Sequence, residues 1–365
     1  MTSSPTDIES SRRWAGGDDP RHVLLIRAGA LGDCLLMLPA LAALRERFPQ
    51  ARLDVMGYPL RWAWVLGRRL VDEVHTIDRP GMHLLFCEGA AVPAPLKTFL
   101  GSYDVILSYR PDPEHTFATN LRRLGAGLVL SQSPFPPPPP PKMHVADFAL
   151  KLVAELGAPP PPVIPRLQLT PAELSLAQPF FKLHDVDPLR ERIVVVHPGS
   201  GSEAKRWPLT SFAALVEALT AQGRTRIVIT VGYAEQAVAA DFLHRIRTAK
   251  PLMAENWPLI PTMSLIAHAA VFIGNDSGLT HLAAALGRPT VAIFGPTDPE
   301  VWGPRGEHVT VVPLGTSGGF GRCRAPGGPP DPDEQTDILE VLQAGQRWLA
   351  EANFTQSSSG QSVPS

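Results

Sequence analysis

Residues 272–298 read FIGNDSGLTHLAAALGRPTVAIFGPTD, and they predict one strand–helix–strand unit. Apolar runs at 269–273 and 291–294 have the length of buried strands. Between them lie a polar turn at 274–278 and a helix at 279–286, which Gly287 ends. The turn follows the carboxyl end of the first strand, which is where open α/β sheets bind their ligands.

Polar residues cluster where this helix starts: Asp276, Ser277, Thr280 and His281. The free N–H groups and the positive dipole end of a helix start suit a phosphate. The bland interpretation is that Asn275, Asp276 and Ser277 simply cap the helix. His281 falls one turn after Ser277 and shares its face. From this stretch alone, a phosphate site and a plain cap are both open.

Composition excludes several classes of protein. The 365 residues allow two domains of ordinary size, and 44% hydrophobic residues are enough for substantial cores. A net charge of -2 does not indicate a nucleic-acid partner. The three cysteines are far apart without a CxxC pair, which disfavours a disulfide scaffold and suits a reducing cytosol. We find no signal-peptide pattern and no apolar run long enough for a transmembrane helix.

The first half of the chain opens like a nucleotide-type α/β domain. A short apolar strand at 23–26 is followed by a glycine-containing turn at 27–33, an apolar helix at 34–48 with Pro39 inside it, and a second strand at 52–57. Further along we expect strands at 73–77, 104–108 and 127–130 and helices at 61–70, 117–124 and 144–156.

The second half repeats this alternation. We expect strands at 192–196 and 226–231 and helices at 209–222, 236–248 and 264–270, which lead into the stretch quoted above. Thr170, Pro171 and Glu173 form a capping-box pattern that starts a helix. Two tandem α/β halves predict two domains that face each other across a cleft.

Proline-rich and polar segments divide the chain. We expect a disordered tail at 1–20, a first domain at 21–160, a second domain at 161–333, a helix at 334–352 and a disordered tail at 353–365. The proline tract at 159–165 is a stiff linker by composition. A second tract, at 134–141, predicts an exposed polyproline segment.

The turn at 199–205 is rich in glycine and contains Lys205. It has neither the spacing of a Walker A loop nor the third glycine of a GxGxxG fingerprint. Its backbone N–H groups could still hold a phosphate, with Lys205 as a point charge. An ordinary turn with a surface lysine is the alternative.

The sequence supports a functional role for some of the other candidate side chains more than for others. Asp33 lies where the first helix begins, so it is either an N-cap or a general base that points into the cleft. The letters Asp185-Val186-Asp187 match a metal-binding DxD, but a solvated loop is the better interpretation because Pro188 follows and no other ligand cluster is near in sequence. His197 precedes a proline and is more typical of a packed strand end than of a metal ligand.

Three segments together resemble glycosyltransferase family 9, the ADP-heptose:lipopolysaccharide heptosyltransferases. They are IRAGALGD at 26–33 with LPAL at 38–41, HPGS at 197–200 with KRWP at 205–208, and NDSGLTH at 275–281 with FGPTDP at 294–299. The order and approximate spacing are those of the family, and the likeness covers residues 22–305.

The resemblance implies a GT-B fold, with an acceptor-binding Rossmann-like domain first and a nucleotide-sugar-binding one second. It implies inverting transfer from ADP-L-glycero-D-manno-heptose, with no cofactor and no metal site. In the family pattern Asp33 corresponds to the catalytic base, and Ser200, Gly201 and Lys205 to the diphosphate contacts. The remaining donor contacts would be made by Glu235 to the ribose, Met263 to the adenine, Asp276 to a heptose hydroxyl, and Ser277, Gly278 and His281 around the phosphates.

The same resemblance implies a lipid-linked glycan as acceptor. The enzyme would then work in the cytoplasm as a peripheral protein at the inner face of the inner membrane. Two alternatives stay open: a transferase of this fold that uses another nucleotide sugar or a protein acceptor, and a nucleotide-binding relative without activity. A dinucleotide oxidoreductase is disfavoured because GxGxxG is absent.

Overall fold

The computed structural model describes residues 19–137, 143–161, 164, 166–221, 225–314 and 332–358. The chain divides into two compact units. The first comprises Met1–Ala30 and Met37–Pro165, and the second Leu31–Leu36 and Arg166–Ser365. The division falls close to the expected boundary at 160/161, but the short segment Leu31–Leu36 is grouped with the second unit.

The first unit is built on a five-stranded parallel sheet in the order β3-β2-β1-β4-β5. The strands are β1 (His22–Ile26), β2 (Arg52–Gly57), β3 (Glu73–Thr76), β4 (Val105–Tyr109) and β5 (Leu128–Gln132). Four of the five residues of β1 are buried, as expected for a strand covered on both faces. The expected strands of this half are therefore confirmed to within a residue or two at each end.

The helices of this part of the chain are short. They are α1 (Leu31–Leu35), α2 (Leu38–Arg47), α3 (Pro59–Trp62), α4 (Ala94–Gly101), α5 (Thr116–Arg123) and α6 (Val145–Ala154). By its contacts α1 belongs to the second unit, and the other five belong to the first.

Two of the helices expected in the first half of the chain are wrong in extent, and the helix expected at 264–270 lies at Leu259–Ala267. The single helix expected at 34–48 is two helices, because Pro39 occupies the first turn of α2, where its missing N–H costs no hydrogen bond. The helix expected at 61–70 ends at Trp62 and continues only as a 3-10 turn to Val65. Gly67 and Arg69 then adopt positive φ angles of 74° and 56°, which a right-handed helix cannot include.

The second unit contains a six-stranded parallel sheet in the order β11-β10-β9-β6-β7-β8. The strands are β6 (Arg192–His197), β7 (Thr225–Val231), β8 (Leu252–Glu255), β9 (Val271–Asn275), β10 (Thr290–Phe294) and β11 (Val309–Pro313). Its other helices are α7 (Pro171–Leu174), α8 (Gln178–Leu183), α9 (Leu209–Thr220), α10 (Gln236–Arg245), α11 (Leu259–Ala267), α12 (Gly278–Ala285), α13 (Pro299–Trp302) and α14 (Pro332–Ser358).

The quoted stretch forms the predicted unit. β9, α12 and β10 follow one another, and β9 pairs in parallel with β10. All ten residues of these two strands are buried. The capping box at the start of α7 is also confirmed, since Thr170 accepts from the Glu173 N–H and Glu173 accepts from the Thr170 N–H.

Helix α14 covers one face of the second sheet. Val341, Ala344 and Leu349 of this helix are buried in the same apolar core as strands β6, β7, β9 and β10. The helix continues to Ser358, beyond the end expected at 352, so part of the predicted tail is helical. Residues 1–18 of the tail expected at 1–20, the last residues at 359–365 and the prolines at 138–141 lie outside the described residues.

None of the helices in the described ranges combines the length and the apolar character that crossing a membrane requires.

Candidate active site

Two neighbouring strands bring two predicted segments to one edge of the second sheet. β6 pairs with β9 in parallel, with Val196 opposite Ile273 and His197 opposite Gly274. The turn that follows β6, residues 198–205, therefore lies beside the turn that connects β9 to α12. The two polar turns, separated in the sequence, form one surface at the carboxyl ends of the strands.

Asp276 is the centre of this surface. Its Oδ2 accepts a bond from Lys205 Nζ at 2.7 Å and another from the Thr297 hydroxyl at 2.6 Å. Its Oδ1 faces His281 Nε2 at 3.9 Å. The Asp276 side chain is only 6% exposed, whereas Lys205 is 30% exposed. A nearly buried carboxylate thus holds the lysine at the rim of the surface.

Asn275 fastens the two turns together. Its amide Nδ2 donates to the carbonyls of Pro198 at 2.9 Å and Gly199 at 3.3 Å, and its Oδ1 accepts from the Trp207 N–H at 3.0 Å. Ser200 adds a bond from its hydroxyl to the Asp276 carbonyl at 2.9 Å. The backbone of the turn after β6 is thereby fixed against the end of β9.

Ser277 caps helix α12, and its neighbours Asp276 and Asn275 make other contacts. Ser277 is the N-cap of α12, and its hydroxyl accepts from the Thr280 N–H. The Asp276 carboxylate is directed to Lys205 and Thr297 instead. Asn275, which the sequence offered as a cap, instead joins the loops.

Helix α1 packs on the start of α12 within the second unit. A Cβ on Gly278 would lie 2.7 Å from the Leu31 Cβ, and a Cβ on Gly32 would lie 3.1 Å from the His281 ring. The lack of side chains at these two glycines is what permits this approach. Asp33 follows Gly32 in the first turn of α1. The expected base is therefore on a helix that contacts the start of α12.

Glu235 also reaches this edge. Its carboxylate accepts from the Gly232 N–H at 2.9 Å and lies 3.7 Å from His197 Nε2. A Cβ on Gly199 would fall 2.0 Å from Glu235 Oε1, so a side chain there would displace the Glu235 carboxylate. His197 is 4% exposed, and its Nδ1 lies 2.8 Å from the Thr230 carbonyl. The packed strand-end interpretation of His197 is confirmed, and Glu235 lies against the turn after β6.

Gly201 and Met263, which are also predicted to contact the nucleotide sugar, differ in accessibility. A Cβ on Gly201 would meet no atom within 4 Å, so the backbone is open there. Met263 is completely buried in α11. The structure does not bring the Met263 side chain to the surface, and its contact with an adenine stays a prediction.

Thr297 is a residue of this site that sequence reasoning did not single out. It lies in the turn after β10, the strand next to β9, so strand order places it beside Asp276. The polar sequence Gly295-Pro296-Thr297-Asp298 after a buried strand was the available signal. Chemically, this edge combines a lysine, hydroxyl groups and the N–H groups of a helix start, a set that suits a diphosphate.

Comparison with known proteins identifies the family. The sequence profile of glycosyltransferase family 9 (heptosyltransferase) matches residues 112–319, which is more than half of the chain. The chain belongs to glycosyltransferase family 9. This family 9 member is a glycosyltransferase, as the ordered motifs predicted.

Relatives support the family over most of the chain. Lipopolysaccharide heptosyltransferase 2 of Salmonella typhimurium is 26% identical over 314 residues, which is 80% of this chain and 88% of that protein. The structure of the family 9 glycosyltransferase of Veillonella parvula has a TM-score of 0.73 at 20% identity and covers 91% of this chain and 97% of its own.

The Escherichia coli ADP-heptose lipopolysaccharide heptosyltransferase II structure has a TM-score of 0.66 at 23% identity, covering 90% of this chain and 99% of its own. At these identities the likeness shows the fold alone. The predicted fold class, an α/β GT-B type with two Rossmann-like units, is confirmed.

A group with metal-ligand chemistry lies elsewhere in this family 9 chain, in the first unit. Ligand atoms of Asp54, Glu73 and His75 are within 4.8 Å of one another. Arg52 already forms ion pairs with both carboxylates. The Tyr103 hydroxyl donates to Asp54 at 2.8 Å, and burial followed by this bond raises the pKa of Tyr103. The trio is therefore part of a structural ion-pair network.

Proposed function

We propose that this family 9 glycosyltransferase transfers heptose, with inversion, from ADP-L-glycero-D-manno-heptose to an inner-core acceptor of lipopolysaccharide. The observation that carries the proposal is the joint placement of Lys205, Asp276 and Thr297 at the start of α12. One patch then offers a cation for a diphosphate and a carboxylate for a sugar hydroxyl. The proposal is supported by relatives named lipopolysaccharide heptosyltransferases.

The donor would be held by the two turns described above. Ser200, Gly201 and Lys205, together with N–H groups of Ser277 and Gly278 and the nearby His281, would contact the diphosphate. Glu235 would accept a bond from a ribose hydroxyl, and Met263 would adjoin the adenine.

Asp276 has an oxygen available for the sugar. Oδ2 is used by Lys205 and Thr297, whereas Oδ1 faces only His281, at 3.9 Å, among the described residues. An ionised carboxylate has about four acceptor positions. We therefore assign Oδ1 as the acceptor for a heptose hydroxyl, so the sugar can bind without breaking the Lys205 pair.

The proposed reaction is one in-line displacement. An acceptor hydroxyl oxygen forms a bond to the anomeric carbon of heptose, the bond from that carbon to the β-phosphate oxygen breaks, and the hydroxyl proton passes to Asp33 as general base. ADP leaves with the bonding electron pair. Lys205 and the N–H groups at the start of α12 stabilise the charge on its β-phosphate.

Two further parts of the proposal follow from the resemblance. The acceptor would be a lipid-linked glycan, and the enzyme would act as a peripheral protein at the cytoplasmic face of the inner membrane. Transfer would need no cofactor and no divalent metal, so a chelator should leave the rate unchanged.

An activity assay with a panel of donors tests the proposal. Purified protein is mixed with ADP-heptose, ADP-glucose, UDP-glucose or GDP-mannose and a heptose-deficient inner-core lipid, and nucleotide release and acceptor mass are measured. We expect ADP release and a one-heptose increase in mass only with ADP-heptose plus acceptor. Reactions without acceptor measure hydrolysis of the donor.

The other outcomes identify the alternatives. Release of a different nucleotide would show another donor, and a labelled protein in place of the lipid would show a protein acceptor. Tight ADP binding without turnover on any acceptor would favour the non-catalytic relative. Absence of both ADP binding and ADP release would refute the proposal as a whole.

A further inference from the structure

A cavity lies in the second unit, at the edge of the sheet opposite the candidate active site. It has a volume of about 750 Å³. Its lining includes residues at or just before the amino ends of four strands: Arg192 of β6, Ala270 before β9, Pro289 before β10 and His308 before β11. The candidate active site follows the carboxyl ends of these strands, so the two sites are separate. A cavity of this size is in the range that holds small ligands.

The charged lining of this cavity is mainly basic. Two glutamates, Glu191 and Glu351, face a larger set of basic side chains: Arg166, Arg190, Arg192, Arg288, His268 and His308. Glu191 is already paired with Arg226, which does not line the cavity, at 2.6 Å. Arg190 and Arg166 are likewise paired with Asp187 and Glu307, which do not line the cavity. The lining itself holds four arginines against two glutamates, and this excess of positive charge favours an anion.

Arg288 is the side chain that most clearly lacks a counter-ion. It is partly buried, and its Nη1 donates to the Ala267 carbonyl, at the end of α11, at 3.4 Å. Among the described residues no carboxylate forms an ion pair with it. Burial and then the charge of Arg166 lower the pKa of Arg288 below its ordinary value. The guanidinium stays protonated at neutral pH. The free-energy cost of partly burying this charge without a counter-ion therefore persists until an anion binds.

Arg166 is held next to Arg288 by the backbone. Gly287 has a φ angle of 70°, and a Cβ there would lie 3.3 Å from Arg166 Cδ and 3.5 Å from its Cζ. The Leu167 N–H donates to the Ala285 carbonyl at 2.7 Å, which fixes the adjoining chain. Arg166 pairs with Glu307, but both side chains are about half exposed, so that pair is weakly held.

We propose that this cavity binds a phosphate group, with Arg288 and Arg166 as its ligands. Two guanidinium groups supply paired N–H donors whose geometry matches the oxygens of a phosphate. The phosphate can belong to a soluble monoester or to a phospholipid headgroup, since both present the same oxygens.

Binding of glycerol 3-phosphate, measured by calorimetry, is the first test. We expect saturable binding to the full-length protein and at least a tenfold weaker affinity for Arg288→Gln. Arg245→Gln, which removes an exposed pair with Asp241, should bind like the wild type. The binding that depends on Arg288 should persist in Lys205→Met, a variant that alters only the candidate active site at the opposite edge of the sheet. Succinate should bind much more weakly than glycerol 3-phosphate.

Vesicle sedimentation is the second test and separates the two sources. Vesicles of phosphatidylcholine with and without phosphatidylglycerol are compared for the same variants. Arg288-dependent binding to glycerol 3-phosphate indicates a soluble ligand, and Arg288-dependent binding to the charged vesicles alone indicates a headgroup; each supports the phosphate site.

Several results would overturn the inference. They are affinity unchanged in Arg288→Gln, affinity lost only in Lys205→Met, equal binding of succinate, or no binding in either test. Because Arg288 also contacts the end of α11, its substitution can impair folding. Arg166→Gln, at a more exposed position, then provides the same comparison, with circular dichroism to verify that each variant is folded.

Discussion

At the scale of single residues, the pair between Lys205 and Asp276 has two consequences. In the proposed mechanism the lysine is held in place before the donor binds, which would limit the entropy lost on binding. The carboxylate, nearly buried, depends on the lysine for much of its charge compensation. Substitutions of Lys205 will therefore affect stability as well as activity, and they are a poor first test of the mechanism.

Asp33→Asn is a cleaner test of the proposed chemistry. The amide keeps the size of the side chain but cannot accept the proton of the acceptor hydroxyl. We expect kcat to fall by about 10²–10⁴-fold, which is the usual contribution of a general base. The dissociation constant for ADP, measured by calorimetry, should stay within about twofold of the wild type. Parallel losses in both quantities would contradict the assignment of Asp33 as the base.

Gly199→Ala tests the role of Glu235 without changing that residue. The new Cβ would fall 2.0 Å from Glu235 Oε1 and displace the carboxylate from the Gly232 N–H. We expect weaker ADP binding, by a factor similar to that of Glu235→Ala, and little further loss in the double variant, because the two changes remove the same contact.

Gly295→Ala is the matched control for this experiment. It lies at the same edge of the sheet, but its Cβ would have no neighbour closer than 3.9 Å. ADP affinity should be nearly unchanged in this variant. Fully additive losses in the double variant of Gly199 and Glu235 would show that Glu235 does not act through this position.

The sequence predicted which residues belong to the candidate site better than it predicted the contacts between them. Asp276 and Lys205 were both selected, but their pairing depends on β6 lying next to β9, across a separation of 71 residues. Thr297 was not selected, because only the neighbouring position of β10 brings its hydroxyl to Asp276. Long-range strand order is the information that local patterns lack.

At the scale of secondary-structure elements, Glu217 connects α9 to the segment after α10. Its carboxylate accepts hydrogen bonds from the N–H groups of Arg247, Thr248 and Ala249 and from the Thr248 hydroxyl. Hydrogen bonds from Thr248, above all, lower the pKa of Glu217 to about 2, from an ordinary value of 4.5. These N–H groups lie past the end of α10, in a segment that belongs to no helix or strand.

The pH dependence of stability follows from this shift. A carboxyl group with a lowered pKa stabilises the fold above its ordinary pKa of 4.5, and the effect is lost as the pH falls through about 2. We expect Glu217→Gln to be less stable than the wild type in urea unfolding at pH 6. The difference between the two proteins should shrink steadily as the pH is lowered from 4.5 toward 2.

Glu255→Gln serves as the comparison for that experiment. Glu255 is exposed on β8 of the same unit, and its carboxylate has no hydrogen bond among the described residues. This variant should follow the wild-type pH profile. A difference between wild type and Glu217→Gln that is constant from pH 6 to pH 2 would contradict the role of the Glu217 charge.

Most elements were predictable and the exceptions have physical causes. The buried strands have continuous apolar runs, so β1, β6, β9 and β10 were found from sequence. β8 was missed because its four residues, Leu252–Glu255, have no strand period, and the structure pairs them only at the edge beside β7. The break between α1 and α2 could not be predicted from apolar periodicity, because it depends on Pro39 lying in the first turn of α2.

At the scale of the whole molecule, two parallel sheets could be inferred from repeated strand–helix–strand units. The order of the strands in each sheet could not be inferred from the sequence, and neither could the grouping of Leu31–Leu36 with the second unit. Composition marks linkers where proline is abundant, but it does not report which unit a five-residue helix packs against. Only contacts such as that of Leu31 with Gly278 decide this.

A nucleotide should stabilise the chain in a base-dependent manner. If ADP binds at the turn after β6, ADP at about 100 times its dissociation constant should add about 2.7 kcal/mol to the stability of the folded protein. We expect a higher melting temperature with ADP than with UDP at equal concentration, measured by differential scanning calorimetry. Equal shifts with both nucleotides would contradict recognition of adenine.

The discontinuity of the second unit matters for anyone who cuts or recombines this chain. A fragment that begins at Arg166 retains α12 but lacks α1, and with it Asp33 and the surface that covers Gly278 and His281. Chimaeras joined at the proline linker would pair the α12 of one parent with the α1 of the other. Compatibility of Leu31 and Gly32 with the partner's helix start would then govern whether such hybrids fold and work.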